Sequence, residues 1–142
     1  MKYSQATNYA LHTMLYFVAL PAGKTLTVQQ LATMQGVSPT YLSKILTKLV
    51  KAGLIASTPG VHGGYRLAKS GGDVSFLDVI EAIEGTASMF DCSAGLHHDA
   101  CAIRHVMMDA EHQLEDYLKT RKLVELAGDM TGWLNKALEV PA

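Results

Sequence analysis

Residues 1–72 of this 142-residue chain contain no aspartate and no glutamate. The same stretch holds Lys2, Lys24, Lys44, Lys48, Lys51, Arg66 and Lys69. A surface without carboxylates does not repel phosphate, so this half suits a polyanionic partner. All 13 acidic residues lie from Asp73 onward, and the formal net charge of −1 conceals the division. Such asymmetry predicts two jobs in one chain, divided as residues 1–72 and 73–142.

Other absences narrow the class further. The chain has 2 cysteines, too few for a disulfide framework at this length. Its longest apolar stretch, Tyr9 to Ala22, is interrupted by His12 and broken at Pro21, too short to cross a bilayer. The N-terminus shows no secretory leader, which makes the cytoplasm the expected compartment and a membrane an unexpected partner. No nucleophile and base stand at a recognisable spacing. The glycines from Gly60 to Gly64 fall in a hairpin and do not open a helix, so they form no nucleotide loop. An enzyme is therefore not expected. With 49% hydrophobic and 18% charged residues, the chain has material for a packed core.

Periodicity predicts a mainly α protein with one small β-hairpin. Tyr3 to Leu20 reads as a helix apolar around much of its circumference, covered on more than one side. Thr27 to Met34 is a short amphipathic helix with Thr27 and Gln30 at capping-box spacing. After a turn at Gln35-Gly36-Val37, Ser38 and Pro39 open a second helix as N-cap and first helical residue. Two short helices joined through a glycine turn form a helix-turn-helix. Leu54–Ser57 and Tyr65–Ala68 read as two strands around a turn-rich loop, which makes a wing. Ser75 and Asp78 cap another helix, with Phe76, Leu77, Ile80 and Ile83 as its buried stripe and Gly85 as its end. A long helix follows from Cys101 to Lys119. Ile103, Met107, Ala110, Leu114 and Tyr117 form its seam, spaced alternately by three and four, and Asp109, Glu111, Glu115 and Asp116 its outward face. That seam suits pairing with an identical helix. A last helix is expected over Lys122 to Leu138, containing Leu126, Met130, Trp133 and Leu134.

The strongest functional signal is the helix opened by Ser38. At 100° per residue, Leu42, Ile45, Leu46 and Leu49 cluster on one side, and Thr40, Ser43, Lys44, Thr47, Lys48 and Lys51 on the other. Hydroxyls near the N-terminus can reach base edges in a major groove, while lysines farther along position the helix on phosphates. The candidate DNA-contacting set is Thr27, Ser38, Pro39, Thr40, Tyr41, Ser43, Lys44 and Lys48, joined by His62, Gly63 and Arg66 on the wing. A wing tip can enter a minor groove, where arginine and histidine meet enhanced negative potential. The competing readings are a winged helix used as a protein–protein module and an ordinary surface helix with a lysine-bearing polar face.

The order of elements resembles the Rrf2 family of bacterial transcription regulators. The residues that carry the resemblance are Tyr9-Ala10 and Leu15, then Val37-Ser38-Pro39-Thr40-Tyr41-Leu42 and Leu49 through Ile55. Gly63-Gly64-Tyr65-Arg66-Leu67-Ala68 and Val74 through Gly85 complete them, across nearly the whole chain. The resemblance implies a homodimer that binds partly palindromic double-stranded promoter DNA, usually as a repressor. Family members often carry three cysteines before the dimerisation helix, which bind an iron–sulfur cluster. Here Cys92 matches the first and Cys101 the third, and His98 stands about where one branch has its second. His105 is one residue later than that branch's additional histidine, and Pro59 replaces an arginine that often reaches DNA. Some relatives recruit a ligand from the first helix across the dimer, which makes His12 a cross-subunit candidate.

Cys92, His97, His98, Cys101 and His105 fall close together, and Cys101 and His105 share a helix face at a spacing of four. Two thiolates and two imidazoles suit zinc or a [2Fe–2S] centre with mixed ligands. A redox switch between Cys92 and Cys101 is a second reading. A loop without its ligand set, its histidines merely solvated or packed, is a third.

Overall fold

The computed structural model describes residues 2–61, 63–90 and 101–128. Five helices and one hairpin follow in the order α1 (Gln5–Ala19), α2 (Val28–Gln35), α3 (Pro39–Lys51), β1 (Ile55–Thr58), β2 (Gly64–Leu67), α4 (Phe76–Glu84) and α5 (Ala102–Thr120). A 3-10 turn at Gly71–Asp73 links the hairpin to α4.

Each short helix begins where its side chains offer the backbone an acceptor. Ser4 caps α1 through Thr7 N. Thr27 and Gln30 close a reciprocal capping box on α2, and Ser75 and Asp78 close another on α4. These bonds satisfy amides that a helix start otherwise leaves bare. Gly36 ends α2 in the left-handed region, at φ 67°. A side chain there would be strained, so glycine sets the turn into α3.

The core lies where α1, α2, α3 and α4 meet. Met14 and Phe17 of α1, Leu31 of α2, Leu42, Leu46 and Leu49 of α3, Ile55 of β1 and Val79 of α4 are all fully buried. Each contributes about 1.5–3 kcal/mol of hydrophobic transfer relative to exposure. On α4 the deepest residue is Val79, outside the stripe read from the sequence, while Phe76, Leu77 and Ile83 are half-buried. Helix α4 packs against α1 and α3 together, which rotates its buried face toward Val79.

The hairpin is antiparallel, pairing Ile55 with Leu67, Ala56 with Arg66, Ser57 with Tyr65 and Thr58 with Gly64. Its strands are displaced by one residue from the expected ones. Leu54 N donates to Leu49 O at 3.1 Å, so Leu54 completes the end of α3 and does not open the strand. Leu26 adds a bridge to the hairpin's free edge, with Tyr65 N donating to Leu26 O at 2.8 Å and Leu26 N to Tyr65 O at 2.9 Å.

After α5 the chain returns to α4. Phe76 N donates to Arg121 O and Leu123 N to Val74 O, both at 3.0 Å. Lys122 is thus held in an isolated bridge to Ser75 and is not helical; helix resumes over 124–128. Leu123 and Ala127 are buried, whereas Leu126 is exposed. Met130, Trp133 and Leu134 lie outside the described residues.

One expectation for α5 is overturned. Glu111 was assigned to the outward face, yet it is only 7% exposed. Its carboxylate accepts from Ser88 Oγ at 2.7 Å and from Met89 N at 2.8 Å. The segment before residue 91 folds over this side of α5 and supplies those donors, which hold the Glu111 carboxyl below its ordinary range.

Candidate nucleic-acid interface

Helix α3 is built to present one face. Leu42, Ile45, Leu46 and Leu49 are buried at 3% exposure or less, which fixes the rotation of the helix about its axis. The opposite side leaves Thr40, Lys44, Thr47, Lys48 and Lys51 exposed, with Ser43 half-buried between them. Among the described residues, no ion pair engages the three lysines.

The N-terminal end of α3 is held by two devices. Ser38 Oγ accepts from Tyr41 N at 3.1 Å, and Pro39 takes the first turn, where a missing amide hydrogen costs nothing. The Ser38 hydroxyl hydrogen stays available to a partner. The Tyr41 ring meets Tyr9 of α1 edge to face, with centroids 5.9 Å apart and planes at 84°. Tyr41 therefore props α3 against α1 while remaining 37% exposed. Thr47 Oγ1 donates to Ser43 O at 2.9 Å, which leaves its oxygen as an acceptor. Thr27 is half-buried and its hydroxyl oxygen caps α2 by accepting from Gln30 N at 3.1 Å. Gln35 Nε2 reaches Thr13 Oγ1 at 2.7 Å and ties the end of α2 to α1.

On the wing, Arg66 is exposed at the paired position opposite Ala56. Gly63 and Gly64 have a folding role that the sequence alone did not disclose. A Cβ on Gly63 would collide with the Thr58 carbonyl oxygen and stand 2.8 Å from Gly60 O, and one on Gly64 would stand 2.8 Å from Leu26 O. Val61, at the tip, is 98% exposed. It was absent from the expected contacts, because a valine in a turn carries no charge or hydrogen-bonding signal. His62 lies outside the described residues.

A further residue missed from the sequence is Glu84, at the end of α4. One of its oxygens accepts from Ser4 N and Ser4 Oγ, each at 2.8 Å, and from Thr7 Oγ1 at 2.6 Å. These bonds hold the Glu84 carboxyl below its usual range, with the nearby Lys48 ammonium adding to the shift. The contact joins residues 80 positions apart, so no local pattern announces it.

The expected metal ligands are only partly in view. Cys101 is the half-buried N-cap residue of α5, and His105 is exposed one turn later. His12 is exposed on α1, with Nδ1 2.9 Å from Asn8 O. Among the described residues, no three His, Cys, Asp or Glu side chains converge on a metal position. Cys92, His97 and His98 lie outside the described residues. Cys101 and His105 are chemically suited to iron or zinc as a partial ligand pair, and His12 does not join them within the protomer.

The expected dimerisation residues form an exposed stripe on α5. Ile103 is 66% and Tyr117 56% exposed, Met107 and Ala110 are exposed beside them, and Val106, at 67%, widens the stripe. Leu114 is half-buried and lines a cavity toward α4. No helix among the described residues is long and apolar enough to cross a membrane.

The model for the Rrf2 family, described as iron-dependent transcriptional regulators, matches residues 3–129. YffB of Lactococcus lactis, named as an HTH-type transcriptional regulator, is 34% identical over 91% of this chain and 88% of its own length. Among solved structures, CymR, the global cysteine regulator of B. subtilis, superposes with a TM-score of 0.78. It is 24% identical over 90% of this chain and 97% of that one, a likeness of fold. IscR of T. potens has a TM-score of 0.71 at 25% identity, over 100% of this chain and 93% of its own. The exposed face of α3, the glycine turn before it and the wing after it agree with these likenesses: the chain belongs to the Rrf2 family of winged helix-turn-helix, DNA-binding transcriptional regulators and is not an enzyme.

Proposed function

We propose that this regulator acts as a homodimeric repressor that reads partly palindromic promoter DNA with one α3 from each subunit. The observation that carries this reading is the pairing of two exposed surfaces of opposite chemistry. One is the polar, lysine-bearing face of α3 in the acid-free half, and the other is the apolar stripe Ile103, Val106, Met107 and Tyr117 on α5. Buried against a second copy, that stripe holds two α3 helices at a fixed separation, and a two-fold protein axis demands inverted half-sites. In this reading Ser38, Thr40 and Ser43 face base edges, Lys44, Lys48 and Lys51 face phosphates, and Arg66 with the wing tip follows the adjacent groove.

Selection of bound duplexes from a random-sequence pool tests it. Enrichment of two inverted half-sites, about one helical turn or a multiple of it apart, is expected. Enrichment of a single half-site, or of none, would refute the dimeric reading. Sedimentation of an Ile103→Asp/Val106→Asp variant should show a monomer with weakened operator binding.

A sensing role for the region around Cys101 is the second part of the proposal. Cys101 begins the same helix that carries the stripe, with His105 on its next turn, so a change of state at Cys101 acts directly on the element between subunits. A [2Fe–2S] cluster with ligands from Cys92, His98, Cys101 and His105 is the leading candidate, with His12 of a second copy as an additional donor. Thiol oxidation at Cys92 and Cys101 is the alternative. Iron and acid-labile sulfide analysis of anaerobically purified protein, repeated with Cys101→Ala, separates them. Iron and sulfide lost in the variant support the cluster, and their absence from the wild type rejects it.

A further inference from the structure

A second concave site lies away from the DNA-reading face. A cavity of about 260 Å³ opens between α4, α5 and the segment that follows α4. This is just below the range that holds drug-sized molecules, so it suits a small metabolite. One part of its wall is aliphatic, formed by Leu77 and Ile80 of α4 with Leu114 and Leu118 of α5. Another part is anionic: Glu81, Glu84, Glu111 and Glu115 line it, against the single ammonium of Lys2.

The four carboxylates are not equivalent. Glu84 and Glu111 already accept hydrogen bonds from Ser4, Thr7, Ser88 and Met89. Those bonds favour the ionised form of both, and the Glu111 residue is 7% exposed. Among the described residues, the carboxylates of Glu81 and Glu115 carry no hydrogen bond or ion pair. Two uncommitted carboxylates beside two fixed ones, over an aliphatic wall, make a surface that repels anions and leaves a neutral apolar molecule unable to offset the field.

We propose that this cavity is an effector site for a small organic cation, an ammonium group carried on an apolar body, with Glu81 and Glu115 as its ion-pairing residues. The apolar body covers Leu77, Ile80, Leu114 and Leu118, and the ammonium donates to the two carboxylates. Occupancy reaches the DNA-reading face through Glu84, which lines the cavity, clamps the start of α1 and stands in the field of Lys48. This regulatory consequence rests on the DNA-binding reading, whereas the binding site does not.

Methyl-labelled full-length protein titrated with phenethylammonium and n-hexylammonium, with phenylacetate and hexanoate as charge-reversed controls, tests the site without DNA. Saturable shifts at Ile80, Leu77, Leu114 and Leu118 are expected with the two ammonium ions and not with the carboxylates. Glu81→Gln/Glu115→Gln should weaken binding by about tenfold or more while the melting temperature and the remaining methyl spectrum hold. Absence of saturation by either ammonium ion in the millimolar range, equal response to the carboxylates, or undiminished binding by the folded variant would overturn the site. A separate arm measures affinity for a selected operator with and without the ammonium ion. A shift in the wild type that disappears in the variant supports regulation, and saturable binding without any shift overturns it. If the wild type selects no operator, the DNA reading has failed and the titration still judges the cavity.

Discussion

The lysines of α3 allow a quantitative test of the nucleic-acid face. Lys44 and Lys48 are exposed one helical turn apart, opposite the buried stripe, so alanine at either position removes a charge without opening the core. Each phosphate contact to B-DNA contributes about 0.9 to the slope of log affinity against log salt. In the proposed dimer one substitution removes two contacts, which lowers the slope by about 1.8. A doubling of salt should then weaken the variant by about 3.5-fold less than the wild type. Fluorescence anisotropy of a labelled duplex across a salt series reads this directly. The loss should be nearly uniform across sequences, because phosphate contacts carry no base identity, whereas Ser38→Ala or Thr40→Ala should change preference among operators. Lys119→Ala, in the last turn of α5, serves as a charge-matched control that leaves the slope unchanged. Unchanged slopes in both Lys44→Ala and Lys48→Ala, with the fold intact, would refute the placement of this face on phosphate.

Three further outcomes follow from the packing. Gly64→Ala forces a Cβ to 2.8 Å from Leu26 O at a φ of +147°, so it should cost about 1–3 kcal/mol in chemical denaturation. A stability equal to wild type would show that the Leu26–Tyr65 bridge is dispensable. Ser75→Ala removes the hydroxyl half of the α4 capping box and should cost about 1 kcal/mol, read as a lower denaturation midpoint at constant m-value. Acid should loosen the joint between α1 and α4. The Glu84 carboxyl is held low by Thr7 and Ser4. At Asp78, burial pushes the carboxyl up, but its bonds from Lys69 and Ser75 outweigh that and leave it low. A lowered folded-state pKa means stability that is complete above the ordinary carboxylate range and lost as pH falls through the folded values. Glu84→Gln should therefore flatten the acid limb of stability against pH, and an unchanged limb would show that the Ser4–Thr7 clamp carries no linkage.

What the sequence determined by itself was local or periodic. Two capping boxes, Thr27 with Gln30 and Ser75 with Asp78, are written within four residues, and both helices begin where those boxes place them. The inward face of α3 was legible because four apolar residues at helical spacing admit one orientation toward a core. The glycine turn and the hairpin were legible because few residue types tolerate those backbone angles. Tertiary structure alone decided the rest, where the deciding partner is distant along the chain. Glu111 has the spacing of a solvent-facing acid, and only the donors of Ser88 and Met89 folded against it make burial tolerable. Glu84 lies at the end of α4, and its partners Ser4 and Thr7 come from 80 and 77 residues away. Gly63 and Gly64 read as part of a turn-rich wing loop, and only the folded Thr58 and Leu26 carbonyls show that there is no room for a side chain. Helical periodicity fixes which face of an element is apolar, whereas only packing determines which polar groups from elsewhere meet that element's other faces.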